Sequence, residues 1–142
     1  MNQFHVEVGE TTEFAKTVTE TDVALFSAIS GDFDPIHVDE EYARTTLFGR
    51  RIAHGIAVMG LLSAAESEMS RRIVARGSPL KPVSLGYDKV RFVKPVFIGD
   101  TLRVVYTIAV LDAGKMRATG KCEITNQRGE LCLVGEHLMK WV

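Results

Sequence analysis

The six residues Asp32-Phe33-Asp34-Pro35-Ile36-His37 set a carboxylate and an imidazole close together around a proline. An acid and a histidine facing one water can take a proton from it and return one to another atom. Pro35 lacks an amide hydrogen and pushes Asp34 away from helical geometry, so the stretch reads as a rigid loop rather than a helix. Taken alone, Asp32 is equally a turn or capping aspartate, and His37 equally a satisfied core histidine. The loop draws attention because an apolar helix lies close downstream of it. Ile56-Ala57-Val58-Met59-Gly60-Leu61-Leu62 is the longest apolar run in the chain. Gly55 stands just before it, in the first turn of the helix expected here. Amide hydrogens in a first helical turn have no intrahelical partner, and the helix dipole there favours negative charge. Gly55 is therefore a candidate to hold a developing oxyanion, and close packing is the alternative reason for a glycine.

These residues need elements to hold them. Residues 12–19 read as a strand, with β-branched and aromatic residues in partial alternation. Thr19 caps an expected helix from Glu20 to Ile29, with Val23, Phe26, Ala28 and Ile29 on its buried side and Ser30-Gly31 at its end. Asp39 caps a short helix, Glu40–Thr46. A central helix is expected over residues 53–74, roughly 33 Å long at ~1.5 Å per residue. Its first half is apolar on every face, so protein should surround it. Strands are expected at residues 83–93, 97–110, 115–125 and 130–142, separated by turns. Helices first and antiparallel strands after make an α+β domain spanning residues 1–142. About five strands curled on one helix leave part of that helix uncovered, and a second copy of the chain is the simplest cover, so a homodimer is expected.

Bulk properties exclude several functions. The chain has 142 residues, enough for one domain with a real core, and is 46% hydrophobic and 25% charged. A net charge of −1 supplies no field to draw it to nucleic acid or an anionic membrane. The apolar run is too short to span a bilayer, which needs about 20 residues. MNQFHVEVGE has no basic region followed by an apolar run, so no signal peptide is expected. Cys122 and Cys132 have neither disulfide nor metal spacing and are read as buried free thiols in a cytoplasmic protein. His5, His37, His54 and His137 lack the HExxH spacing, so no metal is expected. Without GxGxxG or a Walker loop, no nucleotide cofactor site of those types is expected, and no cofactor is assigned. No serine sits in a GxSxG elbow.

The residues also carry a family resemblance. Ser30–His37, then Ala43, Gly49, Ile52-Ala53-His54-Gly55 and Ser63, with Arg91–Leu102 later, resemble the MaoC-like, or R-specific enoyl-CoA hydratase, family. The likeness runs from about Thr12 to Val142. It implies a hot-dog fold, a long central helix wrapped by a curved antiparallel sheet, usually dimeric. It implies addition of water to trans-2-enoyl-CoA to give the R-3-hydroxyacyl thioester, or the reverse. Asp32 and His37 would then activate the water, Gly55 would bind the thioester oxygen, and Ser63 would support the acid–histidine pair by hydrogen bonding. His54 is read as structural. The family's usual motif has asparagine where this chain has Asp34. Aspartate can serve a turn equally well, but an added carboxylate could also act on Asp32 or on substrate range.

Two other functions compete with hydration. A hot-dog thioesterase would use acid and water for hydrolysis, although the acid–turn–histidine loop before the helix fits hydration better. A non-catalytic acyl-CoA-binding module is the other, against which an intact Asp32, His37, Gly55 and Ser63 set counts. An acyl-CoA thioester is the expected small-molecule partner in all three. Arg50, Arg51, Arg91 and Lys94 are cations that could meet the phosphates of CoA.

Overall fold

A computed structural model describes residues 2–142. Strand β1, Thr11–Thr17, leads to helix α1, Glu20–Ser30. Two short helices come next, α2 at Pro35–Val38 and α3 at Glu40–Arg44. The long helical segment is then built as α4, Gly55–Gly60, and α5, Leu62–Ala75. Strands β2 (Pro82–Phe92), β3 (Thr101–Asp112), β4 (Arg117–Thr125) and β5 (Leu131–Trp141) complete one antiparallel sheet in the order β1-β3-β4-β5-β2. Helix α5 packs across β1, β3 and β2. This is the expected α+β hot-dog arrangement.

Local signals explain the first half. The Thr19 hydroxyl accepts from the Asp22 amide, and the Asp22 side chain accepts from Thr19, a complete capping box. Gly31 ends α1 at φ 79°, left-handed geometry that glycine adopts without strain. The loop reading of residues 32–37 needs correction, because Pro35–Val38 is one turn of helix. Pro35 occupies its first position, where no amide hydrogen is needed and a fixed φ is an advantage. Asp34 is its cap, accepting from the Ile36 amide at 2.9 Å.

The central helix is also not a single run. It starts at Gly55, later than expected, and tightens at Leu61, whose amide donates to the Val58 carbonyl at 3.1 Å. An i→i+3 bond of this kind is a 3₁₀ step inside an otherwise helical path. Leu62, Ala65, Met69 and Ile73 then form a buried stripe at helical spacing. Facing it, Leu102, Val104, Tyr106 and Ile108 of β3 and Leu133, Met139 and Trp141 of β5 point inward at strand spacing. Cys122 and Cys132 are buried free thiols, as expected. Burial pushes the Cys122 thiol up to about 12, so it stays protonated and unreactive.

The buried side expected of α1 needs correction, whereas the apolar helix is left partly uncovered by one chain, as expected. Ile29 is 83% exposed and Ile56 58%, and Ala28 is exposed as well. Helix α1 buries only Val23 and Ser27. Apolar side chains of α1, α4 and the step that follows it, among them Leu25, Phe26, Ile29, Ile56 and Leu61, line an open groove of about 240 Å³. One chain therefore does not enclose its own apolar helix. Strand β2 is likewise an uncovered edge with Val83, Leu85 and Phe92 exposed. Its pairing with β5 shifts register between Ser84 and Gly86 and again between Asp88 and Arg91, with Lys89 at φ 55°.

Candidate active site

The turn of α2 turns His37 inward. Its ring is mostly buried, and Nδ1 lies 2.8 Å from the Ile52 carbonyl. A carbonyl oxygen only accepts, so Nδ1 carries the proton and Nε2 presents a lone pair. That lone pair faces Asp32, whose Oδ2 is 4.0 Å away. The gap is too long for a direct hydrogen bond. It suits one water bound to both groups. The Asp32 carboxylate is 48% exposed and is held from below by the main chain. Its Oδ1 accepts from the Asp34 amide at 3.1 Å, and its own amide donates to Ser30 Oγ at 3.1 Å. Asp34 points its carboxylate at its own helix, so here it acts as a cap.

His54 ties this loop to the central helix. Its ring is 1% exposed and stacks on His37 with centroids 3.9 Å apart. Nε2 donates to the Asp32 carbonyl at 3.0 Å and lies 3.2 Å from Ser27 Oγ. The structural reading of His54 therefore acquires a location, against both members of the acid–histidine pair. Asp32, His37 and His54 also lie close enough to suggest a metal site. Metal-ligating lone pairs lie in the plane of each imidazole. The two rings are stacked only 28° from parallel, so their nitrogens run side by side rather than converging.

Gly55 is the first residue of α4 and shares a cavity of about 380 Å³ with His37. Phe48, Ile52, Val58, Phe92 and Val96 supply its apolar walls, with Lys94 among the lining residues. A Cβ on Gly55 would meet the Phe92 ring at 3.0 Å, so a glycine is needed for that wall to close on the helix start, while its backbone still lines the cavity. Asp32, His37 and Gly55 are thus brought together in one chain. Ser63 is not. It lies exposed on α5 beyond the Leu61 step and opens on a different groove with Glu66 and His137. Of the cations, Arg51 is engaged by Glu20 and Glu40, Lys94 by Glu130, and Arg50 stacks over Phe97 at 3.9 Å. Phe48 carried no signal in the sequence, and Ile52 and Phe92 lie in the resembling stretches with no role assigned, because loop backbone and lone aromatics have no telling spacing.

Known proteins resemble this chain along most of its length. A family model described as "MaoC like domain" matches residues 3–128. The (R)-specific enoyl-CoA hydratase of Aeromonas caviae is 33% identical over 140 residues, covering 99% of this chain and 98% of the relative. The 3-hydroxybutyryl-CoA dehydratase of Methylorubrum extorquens is 36% identical over 135 residues, 95% of this chain and 80% of the relative. Among solved structures, an (R)-hydratase from A. caviae involved in PHA biosynthesis superposes with a TM-score of 0.81 at 32% identity. The superposition covers 95% of this chain and 96% of that one.

Proposed function

The chain belongs to the MaoC-like domain family, and from that premise we propose that it is a hydro-lyase acting on acyl-CoA thioesters. It adds water to a trans-2-enoyl-CoA to give the R-3-hydroxyacyl-CoA, or runs the reverse dehydration. The similarity to an (R)-specific enoyl-CoA hydratase over nearly the whole of both chains supports the reaction class. One observation carries the residue assignment. The Asp32 carboxylate and the His37 Nε2 lone pair are two acceptors 4.0 Å apart, beside the cavity onto which Gly55 opens.

In this reading a water donates to both acceptors. As its oxygen attacks Cβ, one of the pair takes a proton, and the pair delivers a proton to Cα, so that hydrogen and hydroxyl add across the double bond. Charge moving onto the thioester oxygen is met by the free amide at the start of α4, where the helix dipole helps. The Ile52 carbonyl holds a proton on His37 Nδ1, which leaves Nε2 as the nitrogen that exchanges a proton with the water. Ser63 supports the pair only if it reaches the site of another copy, since within its own chain it faces elsewhere.

A homodimer is part of the proposal. The open edge of β2 and the apolar groove between α1 and α4 are surfaces that a second copy would cover. Among the described residues, no helix is long and apolar enough to cross a membrane. Two free, buried cysteines support a reducing, cytoplasmic setting.

The test is to mix the protein with crotonyl-CoA and measure conjugated absorbance and free thiol together. Absorbance should fall with no thiol released. Thiol release would replace this reading with a thioesterase, and silence across a panel of acyl chains would leave a binding module.

A further inference from the structure

A second acid–histidine group lies on α5 and the sheet, apart from Asp32 and His37. Glu66 is 6% exposed, and its Oε2 accepts from the Tyr87 hydroxyl at 2.7 Å. His137 of β5 places Nε2 3.5 Å from the same oxygen. The imidazole is held at both ends, with Tyr106 Oη 3.1 Å from Nδ1 and Ser84 Oγ 2.8 Å from Nε2. The Tyr106 ring rests over Gly120, where an added Cβ would fall 1.9 Å from it. The cluster is therefore built into the packing of three strands and a helix.

One atom is left over. Glu66 Oε1 is buried and has no hydrogen-bond partner among the described residues. Such an atom is costly unless something else supplies its partner. Glu66 and His137 line a groove of about 220 Å³, together with Ser63, Ser84, Pro82 and Met139. His137 lies between two hydroxyls, Tyr106 Oη at Nδ1 and Ser84 Oγ at Nε2, and in either tautomer the Ser84 hydroxyl keeps a proton or a lone pair for the groove. Lys81, the cation at this groove, donates to Ser70 Oγ at 2.7 Å. The floor thus offers one hydroxyl and one unmatched carboxyl oxygen, and Pro82 and Met139 offer apolar wall. A hydroxyl both accepts and donates, and an alkyl chain suits the wall.

We propose that this groove, whose Ser63 would face the site of a second copy in the homodimer proposed above, binds a hydroxyl carried on an aliphatic chain, so that the preferred substrate is an acyl thioester hydroxylated far from its thioester end. The substrate clause rests on the hydration reading above. A plain alkyl chain would cover Oε1 and leave it unpartnered, whereas a hydroxylated chain gives it a partner. Burial raises the Glu66 carboxyl to about 7 and lowers His137 to about 4. At neutral pH the imidazole is uncharged, and the carboxyl can act as donor or acceptor toward the ligand.

The test uses saturated medium-chain acyl-CoAs in matched pairs, with and without a terminal hydroxyl, titrated by calorimetry. Saturation removes the double bond, so binding is read without turnover. At the best-fitting chain length the hydroxylated member should bind about tenfold tighter, the worth of one well-placed hydrogen bond. Glu66→Leu should erase or reverse that preference. Ser84→Ala, at an exposed position, should weaken it severalfold and stands in if Glu66→Leu does not fold. Equal affinity within every pair, or a preference that survives both substitutions, overturns the proposal. Hydration of the matching enoyl-CoAs is measured alongside. Hydration without hydroxyl preference overturns this inference alone, whereas a preference in binding with no hydration of any member overturns the hydration reading and leaves the groove standing. A free alkanediol that binds as well as the thioester would keep the groove and overturn the substrate clause.

Discussion

The chain carries two acid–histidine pairs of opposite design. Asp32 and His37 are near neighbours in sequence, held by main-chain bonds, with the carboxylate half in solvent and 4.0 Å from the imidazole. Glu66 and His137 come from a helix and a distant strand, are held by phenol and serine hydroxyls, and are almost wholly buried at 3.5 Å. The first keeps its acid hydrated and leaves room for a water. The second strips both groups of water, which drives each toward its neutral form. Proximity of an acid and a histidine is thus not by itself a catalytic signature. What decides is whether the acid remains wet and whether a lone pair faces a reactant.

The sharpest way to break this contrast is to remove the first pair. Asp32→Asn or His37→Ala should reduce crotonyl-CoA hydration by about 10²–10⁴-fold, the usual worth of a positioned acid or base. Circular dichroism should show the fold unchanged, because both side chains are held by the backbone rather than holding it. Wild-type turnover in either variant would leave the first pair with no more claim to catalysis than the second.

His54 is next. His54→Ala removes a buried ring and strands the Asp32 carbonyl, which should lower stability by about 2–4 kcal/mol. Turnover of the folded fraction should fall as well, since the His37 stacking partner is lost. An unchanged melting temperature would mean that the loop is held by α2 and its cap alone.

The second pair predicts a pH signature. Glu66 has a folded value near 7 against an ordinary 4.5, so the folded state binds its proton more tightly. Stability from this group is fully present below about 4.5 and is lost as pH rises through about 7. His137, lowered from 6.5 to about 4, acts in the opposite sense, adding stability above about 6.5 that is lost as pH falls through about 4. Glu66→Gln removes the first contribution alone. Relative to the parent, the variant should gain stability between pH 4.5 and 7, by up to about 3 kcal/mol, measured by denaturant titration at several pH values. A flat difference would place Glu66 in water.

The smallest effect is expected at Asp34. Asparagine and aspartate cap helices about equally, so Asp34→Asn should change stability by no more than a few tenths of a kcal/mol and hydration by less than about twofold. A larger change in rate would show that the Asp34 carboxylate acts on the site beyond its capping bond.

Much of the fold is legible in the residues themselves. Thr19 and Gly31 delimit α1 through chemistry that is local to them. The strands are readable because β-branched residues cluster between turns. Pro35 misleads because a proline that breaks a helix interior also begins one, and only the Asp34 cap decides which. Ile29 looks buried because periodicity reports which face is apolar, not what covers it. Ser63 is placed by counting helical turns from Gly55, a count that the Leu61 step disturbs. The Glu66–His137 pair has no local signal at all, since its members meet only when β5 packs under α5.

Strand β2 has a bearing on how copies of this chain associate without limit. An exposed edge is a template for polymer growth, each added strand offering the next a fresh one. Here the template is interrupted twice, at Ser84–Gly86 and at Asp88–Arg91, with Lys89 turned to positive φ between flat stretches too short to copy far. Straightening that kink, for instance by deleting one residue from the bulge at Lys89, should therefore show itself first as turbidity and fibre growth rather than as lost activity.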